Sequence, residues 1–234
     1  MLNKIREELK SRANKQKAKI LSGFFKTGKG QYGYGDKFLG VTVPESRIVA
    51  KQNLNLNLNE IKKLLYSEFH EERLVALLIL VEKYRKEPKV EKSKIVKFYL
   101  ANASKVNNWD LVDLTAHQIL GDYILNHEPK LIKILYKLVR SGNLWERRIA
   151  IVSTFAFIRA NKFKETFKIA ELLMHDKHDL IHKAVGWMLR EAGKRNQQEL
   201  EKFLNKYYRK MPRTMLRYAI ERLSDEKKKF YMRK

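Results

Sequence analysis

The chain has 234 residues, of which 44% are hydrophobic and none is cysteine, so disulfide bonds and thiolate metal sites are excluded. Fifty lysine and arginine residues stand against 26 aspartate and glutamate residues, which gives a formal charge of +24. A basic chain this rich in hydrophobic residues is predicted to fold and to bind a polyanionic partner. No apolar run reaches the ~20 residues of a membrane span and the N-terminus has no apolar signal core, so we expect a soluble, intracellular protein.

Residues 1–50 are predicted to contain an N-terminal helix and a glycine-rich loop, because six of the ten glycines lie before residue 41. The segment TGKGQYGYGDKFLG lacks the strand, helix and Gly-Lys-Ser/Thr ending of a phosphate-binding P-loop. We expect instead a loop across a nucleic-acid-binding face, ending where Pro44 opens a helix at its first turn. Its candidate contacts are Tyr32, Tyr34, Lys37 and Arg47, and the alternative is that they are ordinary exposed loop residues.

Residues 51–234 are predicted to form stacked helical hairpins, since helix breakers are rare and apolar residues recur at helical spacing. Five segments align with one another, beginning at Glu71, Trp109, Trp145, Ile181 and Met215. The steps between them are 38, 36, 36 and 34 residues, close to the length of a two-helix repeat. The sequence therefore predicts one all-α domain over residues 1–234, a HEAT-like helical-repeat solenoid (an α-α superhelix) with a basic concave face.

The third aligned position is predicted to contribute a ladder of positive charge. It holds Arg73, Leu111, Arg147, Lys183 and Arg217. Neighbouring helices pack ~8–10 Å apart, so equivalent cations could follow a phosphate backbone. The alternative is a solvated polar edge in a very basic protein.

The fifth aligned position is apolar in every repeat except one. It holds Val75, Asp113, Ile149, Val185 and Ala219. Burying a carboxylate without compensation costs several kcal/mol, so Asp113 must lie at a cavity, a cap or a functional cleft. The pattern alone leaves open whether it is a hydrogen-bonded structural residue or a catalytic one.

Trp109 lies four residues before Asp113, so the two side chains share one face of the predicted helix, with Cβ atoms ~5–6 Å apart. An indole face attracts cations, and a carboxylate opposes positive charge. The pair therefore indicates a compact site for a cationic group.

Five segments, in order and at matching separations, resemble the AlkD-type DNA alkylation repair proteins, which are alkylpurine DNA glycosylases built from HEAT-like repeats. The segments are GQYGYGDKFLGVTVPESR, NNWDLVD, LWERRIAIVSTF, HKAVGWMLREAGKR and MPRTMLRYAIERL. The resemblance covers nearly the whole chain. It implies that Asp113 is the active carboxylate, that Trp109 and Trp187 are its aromatic partners, and that Arg148 contacts the DNA backbone.

The resemblance implies a monofunctional glycosylase that hydrolyses the N-glycosidic bond of positively charged N3- or N7-alkylated purines in duplex DNA during base excision repair. We expect a cytoplasmic, nucleoid-associated monomer whose partner is double-stranded DNA with alkylated purines, and no cofactor or metal. Further DNA contacts are expected from Arg47, Arg147, Lys183 and Arg190. The alternatives are a non-catalytic HEAT-repeat protein that binds DNA structures or acts as a protein scaffold, and an RNA-binding protein.

The positions of the four implied site residues present one geometrical difficulty. Their offsets within the aligned repeats spread over about 160° of a helix, which is wide for one face. Either the repeats differ in rotational register, which the resemblance favours, or one of Trp109 and Trp187 is mainly a core residue.

A histidine cluster lies in HDKHDLIHK at His175, His178 and His182. The four-residue step between the last two matches a helical metal pair, but a third ligand is lacking at a suitable spacing, so we predict no metal site. Asp179 is expected to cap the helix that carries Trp187. Gly186 within that helix predicts either the close approach of another helix or room for the indole.

Overall fold

A computed structural model describes residues 2–233 of the chain. Within this range the structure is helical and has no β-strand, only an isolated bridge between Lys37 and Phe69. The all-α prediction is confirmed. Among the same residues, no helix combines the length and the apolar character needed to span a membrane.

The chain divides into two compact units, Met1–Thr115 (unit 1) and Ala116–Lys234 (unit 2). The single domain expected over residues 1–234 stays a prediction, and its first and last residues lie outside the described range. The described helices of unit 1 are α1 (Leu2–Ser11), α2 (Lys15–Phe24), α3 (Val43–Gln52), α4 (Leu58–Leu65), α5 (His70–Lys86), α6 (Lys89–Ala101) and α7 (Trp109–Asp113).

Helix α5 is the centre of unit 1. Every residue from His70 to Val81 is buried, and the helix packs against α3 and α4 and more lightly against α1, α6 and α7. A helix buried on all sides needs apolar residues around its circumference, which the run LVALLILV supplies. The polar residues at its start must therefore find partners inside the protein.

The glycine-rich loop between α2 and α3 is fastened to the first turn of α5. The buried carboxylate of Glu71 accepts hydrogen bonds from the backbone N–H groups of Leu39, Gly40 and Val41 at 2.8–3.3 Å. Gly40 has φ +85°, and a Cβ atom there would lie 2.1 Å from the carbonyl oxygen of Asn14, so only glycine fits. Helix α3 then begins with Pro44 in its first turn, as predicted.

The described part of unit 2 is also built from helices and the loops between them. A π-helical turn (His117–Gly121) leads into α8 (Asp122–Asn126), followed by α9 (Ile132–Val139), α10 (Leu144–Ser153), α11 (Phe155–Arg159), α12 (Lys164–Leu172), α13 (Asp179–Arg195), α14 (Gln197–Tyr207), α15 (Arg213–Ile220) and α16 (Asp225–Met232). Helix α13 is the centre of this unit and packs along α10, α14 and α15.

The sequence repeats correspond to helices α5, α7, α10, α13 and α15. Each aligned segment begins at the first residue of its helix or one or two residues after it. The repeat period therefore marks one helix of each repeat, and the helical-repeat prediction is confirmed.

The arginine at the third aligned position has a structural role in both units. Nη1 of Arg73 donates to the carbonyl oxygen of Ser67 at 3.1 Å, and Nη1 of Arg147 donates to that of Ser141 at 2.9 Å. Each arginine thus ties down the turn that precedes its own helix. Arg73 is only 4% exposed, so the predicted ladder of solvent-facing cations is wrong at this position, whereas Arg217 is exposed.

Gly186 marks a close contact between α13 and α15. A Cβ atom at this position would lie 2.5 Å from the carbonyl oxygen of Met215 and 2.5 Å from Cβ of Tyr218. Of the two explanations that the sequence left open, the close approach of another helix is confirmed.

Candidate active site

Asp113 is the last residue of the short helix α7. Leu111 and Val112, just before it, are fully buried, whereas Asp113 is half-buried. At the aligned position of α10, Ile149 is fully buried. The Asp113 carboxylate therefore interrupts an apolar repeat position without being sealed in the core, which avoids the full cost of desolvating a charge.

Trp109, the first residue of α7, lies against two phenylalanines from the end of α2. Its ring stacks on Phe25 with centroids 5.1 Å apart and meets Phe24 edge-on at 5.8 Å. Phe24 is 62% exposed and Trp109 is half-buried, so the two rings form a partly open aromatic wall. The sequence reasoning missed both phenylalanines. Their adjacency at the end of a basic helix was the available signal.

A buried hydroxyl pair lies behind α7. The hydroxyl of Thr115 donates to the carbonyl oxygen of Leu111 at 2.6 Å, so it accepts from the Tyr99 hydroxyl at 3.0 Å. Burial raises the pKa of Tyr99 above its ordinary value, and the negative charge of Asp113 adds to that rise. Tyr99 therefore stays a neutral hydrogen-bond donor. The charge of Asp113 acts on the Tyr99 hydroxyl behind α7.

The first turn of α7 is joined to a buried cluster of charged and polar side chains, here called the acid–histidine network. It consists of Asp36, His70, Arg73, Asn108 and Asp110. Nε2 of His70 lies 2.8 Å from Oδ2 of Asp110, and Nδ1 lies 3.4 Å from Oδ2 of Asp36. The same Asp36 oxygen pairs with Arg73 at 2.8 Å and accepts from Asn108 at 3.1 Å.

The charges of the acid–histidine network determine its protonation. Burial alone would lower the pKa of His70, but the charge and hydrogen bond of Asp110, together with the hydrogen bond to Asp36, raise it to about 9. Burial alone would raise the pKa of Asp36, but its hydrogen bond with His70 and the charge of Arg73 hold it below the ordinary value. His70 is therefore an imidazolium between two carboxylates at neutral pH.

The surroundings of the acid–histidine network are apolar and aromatic. The His70 ring stacks on Phe38 at 4.7 Å and lies 4.9 Å from Phe25. His70 and Asp110 also border a cavity of about 270 Å³ with mainly apolar walls. A low local dielectric strengthens interactions between the buried charges and makes the loss of any partner costly. The sequence analysis missed this network, because its members come from three separate segments.

Arg148 and Trp187 lie in unit 2, on the packed helices α10 and α13. Arg148 is 5% exposed, and its Nη1 donates to the carbonyl oxygen of Leu180 at 2.5 Å. Trp187 is half-buried, and its ring lies 6.0 Å from that of Phe155, which in turn meets His117 edge-on at 5.2 Å. Unit 2 therefore has a partly exposed aromatic group of its own.

Four further cations were expected to contact DNA, namely Arg47, Arg147, Lys183 and Arg190. Arg147 pairs with Asp176 at 2.6 Å, and Lys183 pairs with Asp179 at 2.7 Å. Arg190 pairs with Glu221, and Arg47 is half-buried in α3. A phosphate that binds Arg147, Lys183 or Arg190 must compete with a carboxylate of the protein itself.

One residue of the histidine cluster, His178, caps a helix. Nδ1 of His178 accepts a hydrogen bond from the backbone N–H of Leu180 at 3.2 Å, and burial holds the pKa of His178 below its ordinary value. The expectation that Asp179 caps α13 is wrong, because Asp179 is already the first helical residue and pairs with Lys183 one turn later. Within residues 2–233, no group of three or more acidic, histidine or cysteine side chains is arranged to hold a metal ion.

Known structures include related folds at low sequence identity. A protein described as a predicted DNA alkylation repair enzyme from Enterococcus faecalis is 20% identical, with a TM-score of 0.73, over 92% of this chain and 98% of that one. AlkD2 from Streptococcus mutans is 18% identical, with a TM-score of 0.56, over 90% of this chain and 99% of that one. These likenesses establish a shared fold.

Comparison with curated proteins gave no match. The sequence model of one family, described as DNA alkylation repair enzyme, matches residues 5–223, which is nearly the whole chain. The chain therefore belongs to the DNA alkylation repair enzyme family.

Proposed function

We propose that the protein is a monofunctional DNA glycosylase that hydrolyses the N-glycosidic bond of positively charged N3- and N7-alkylated purines in duplex DNA. It would act as a monomer at the nucleoid, in the cytoplasm, as the first enzyme of base excision repair. The observation that carries the proposal is the half-buried carboxylate of Asp113, four residues after Trp109, at a position that is apolar in the other aligned repeats.

The chemistry of the substrate explains why one carboxylate suffices. An alkylated purine already carries a positive charge, so it is a good leaving group and needs little help from a general acid. The sugar becomes oxocarbenium-like as the bond between C1′ and the purine nitrogen stretches. A carboxylate near C1′ opposes that charge and can orient or deprotonate the attacking water.

The aromatic wall of Trp109 and Phe24 supports the same proposal. Aromatic faces attract cations by roughly 0.5–2 kcal/mol each, and the cation here is the alkylated base or the developing sugar cation. Neutral purines lack that charge, so the attraction favours damaged nucleotides. This selectivity requires no deep pocket for an extruded base.

In unit 2, the proposal assigns DNA contacts to Trp187 and Arg148. The hydrogen bond from Arg148 to Leu180 fixes its guanidinium, which the proposal assigns to a phosphate. The net charge of +24 supplies the long-range attraction to the duplex. Because α7 offers a carboxylate and no lysine, we expect hydrolysis without a Schiff base and an abasic product with both strands intact.

The direct test is a single-turnover assay on a duplex oligonucleotide with one 7-methylguanine. We expect release of 7-methylguanine and an abasic site that breaks only on later treatment with alkali. The matched control is Asp225→Asn, an exposed carboxylate of α16, which should retain full activity. Asp113→Asn should release the base at least about 10²-fold more slowly, and a loss that depends on one residue of this protein excludes a contaminating glycosylase.

The assay also separates the proposal from its competitors. A wild-type protein that binds the damaged duplex without releasing any base would be a DNA-binding module on the same fold. A preference for RNA over duplex DNA at matched salt would indicate an RNA-binding protein, since attraction by charge alone does not select between them.

A further inference from the structure

Trp109 is held between two anchors to the acid–histidine network. Asn108, the residue before it, donates a side-chain N–H to Asp36 at 3.1 Å and accepts from the backbone N–H of Trp109 at 2.8 Å. Asp110, the residue after it, pairs with His70 at 2.8 Å. The backbone on both sides of the indole is thus fixed by buried side chains of the same cluster.

A second route joins Trp109 to His70 through aromatic rings. The indole stacks on Phe25 at an interplanar angle of 18°, and the centroid of the His70 ring lies 4.9 Å from that of Phe25. Phe38 stacks on both Phe25 and His70. A change at His70 therefore reaches the indole through packing as well as through the backbone of α7.

His70 is the member of the network that loses its charge as the pH rises toward 9, because its pKa is about 9. Its ring faces Asp110 from α7, Asp36 from the glycine-rich loop and Arg73 from its own helix. The neighbouring carboxylate of Glu71 is occupied by backbone N–H groups, and Lys17 of α2 borders the same cavity. Loss of the His70 proton would leave two buried carboxylates compensated by Arg73.

Asp110 depends on His70 more than Asp36 does. Its second oxygen, Oδ1, is buried and has no hydrogen-bond partner within the described residues. Asp36, by contrast, keeps Arg73 and Asn108 when His70 is neutral. Neutral His70 therefore destabilises Asp110, and with it the first turn of α7, before it affects the loop.

We propose that Asp36, His70 and Asp110 are positioning residues that hold Trp109 in its working orientation, and that the protonated form of His70 maintains this arrangement. The proposal rests on the glycosylase function for its effect on catalysis. The effect on Trp109 itself is independent of that function.

The structural part is tested on wild-type protein labelled with 5-fluorotryptophan, with the Trp109 resonance assigned from Trp109→Phe. Between pH 7 and 10 we expect the Trp109 fluorine resonance to shift with a midpoint near 9, the pKa of His70. The resonance of Trp145, in unit 2, is the internal control and should stay constant through this transition. A Trp109 resonance that does not titrate would overturn the proposal without any variant of the network.

The catalytic part compares His70→Gln with Glu72→Gln at neutral pH. Glu72 is an equally buried carboxylate of α5, but it pairs with Arg6 at 3.1 Å, away from α7. We expect His70→Gln to slow single-turnover excision about tenfold or more, because small misplacements of contacting groups are costly, with DNA affinity nearly unchanged. Glu72→Gln should lose stability without losing the excision rate.

The outcomes separate the two proposals. If the wild-type protein releases no base, the proposed function fails, while the fluorine titration still decides the positioning of Trp109. If His70→Gln excises at the wild-type rate with an unshifted Trp109 resonance, the positioning network is refuted while the proposed function stands. Asp36→Asn serves as a second variant if His70→Gln does not fold, and is expected to show the same loss of rate.

Discussion

Helices α7 and α10 occupy equivalent places in the repeat, but they differ in length and in how deeply they bury the tryptophan and the fifth aligned residue. Both follow an asparagine cap, at Asn108 and Asn143 respectively. In α10, which has ten residues, Trp145 is 7% exposed and Ile149 is fully buried. In α7, which has five residues, Trp109 and the matching Asp113 are both half-buried.

The difference shows how a repeat protein can create a site without a new fold. Helix α10 uses its tryptophan and its fifth aligned residue to close the core. Helix α7 ends at the fifth aligned residue, so its carboxylate is half-buried, four residues after a half-buried indole. The first turn of α7 is then fixed by the acid–histidine network instead of by burial of the tryptophan. Equivalent positions of the repeat thus pack the core in α10 and form the candidate active site in α7.

The largest expected effect comes from giving α10 the residue of α7. In Ile149→Asp a carboxylate would replace a fully buried side chain, and we expect a loss of about 4 kcal/mol or more in the free energy of unfolding. Urea denaturation measures this loss. Ile149→Val is the control and should cost about 1 kcal/mol. A stable Ile149→Asp protein would show that position 149 tolerates a carboxylate as well as position 113 does.

The histidines of the two units should respond to pH in opposite directions. His70 has its pKa raised from 6.5 to about 9, so its contribution to stability is complete below pH 6.5 and is lost between 6.5 and 9. A shift of this size corresponds to roughly 3 kcal/mol. His178 has a lowered pKa, so its contribution is complete above pH 6.5 and is lost as the pH falls below that value.

Urea denaturation from pH 5 to 9.5 checks both histidines. The stability difference between wild type and His70→Gln should shrink as the pH rises to 9.5. The pH response below 6.5 should weaken in His178→Gln. Equal pH profiles for the wild type and both variants would contradict the assigned protonation states.

The two tryptophans should separate activity from stability. Trp109→Ala removes an aromatic face from the proposed cation site, and we expect excision to slow by roughly 3- to 30-fold, which matches a cation–π energy of about 0.5–2 kcal/mol. Trp145→Ala should instead lower the free energy of unfolding by about 3 kcal/mol. Excision assays and denaturation curves on both variants test this prediction. A Trp109→Ala protein that loses stability but keeps its excision rate would show that the α7 tryptophan is not part of the active site.

The smallest effect is expected from the phosphate contact assigned to unit 2. Arg148→Ala should weaken DNA binding and lower the slope of log affinity against log salt by about one, since one counterion fewer is released. Fluorescence anisotropy at several salt concentrations measures the slope. The control is Lys202→Ala, which removes an exposed cation of α14. An identical slope for both variants would contradict a phosphate contact at Arg148.

The repeat period could be read from the sequence because each repeat carries an apolar stripe, and the spacing of that stripe is visible within a short stretch of sequence. Asp113 was recognisable for the same reason, as an exception at a position that Val75 and Ile149 define as core. The close approach at Gly186 was one of two explanations that a glycine inside a helix suggested.

The acid–histidine network could not be read in the same way, because its bonds join residues far apart in the chain. His70 is 34 residues from Asp36 and 40 from Asp110, and neither separation matches a local pattern. The charge ladder failed at Arg73 because a repeated cation can serve the preceding turn as well as a ligand. Periodicity reveals which positions are equivalent but not which partners they find.

The most direct measurement is the single-turnover rate of 7-methylguanine release by Asp113→Asn and Asp113→Glu beside the wild type, with DNA affinity measured on the same samples. Loss of the charge in Asp113→Asn should slow release by about 10²–10³-fold, with affinity within a few-fold and the fold intact. Asp113→Glu keeps the charge and should recover part of the rate. A folded Asp113→Asn protein that releases the base at the wild-type rate would contradict the role of this carboxylate.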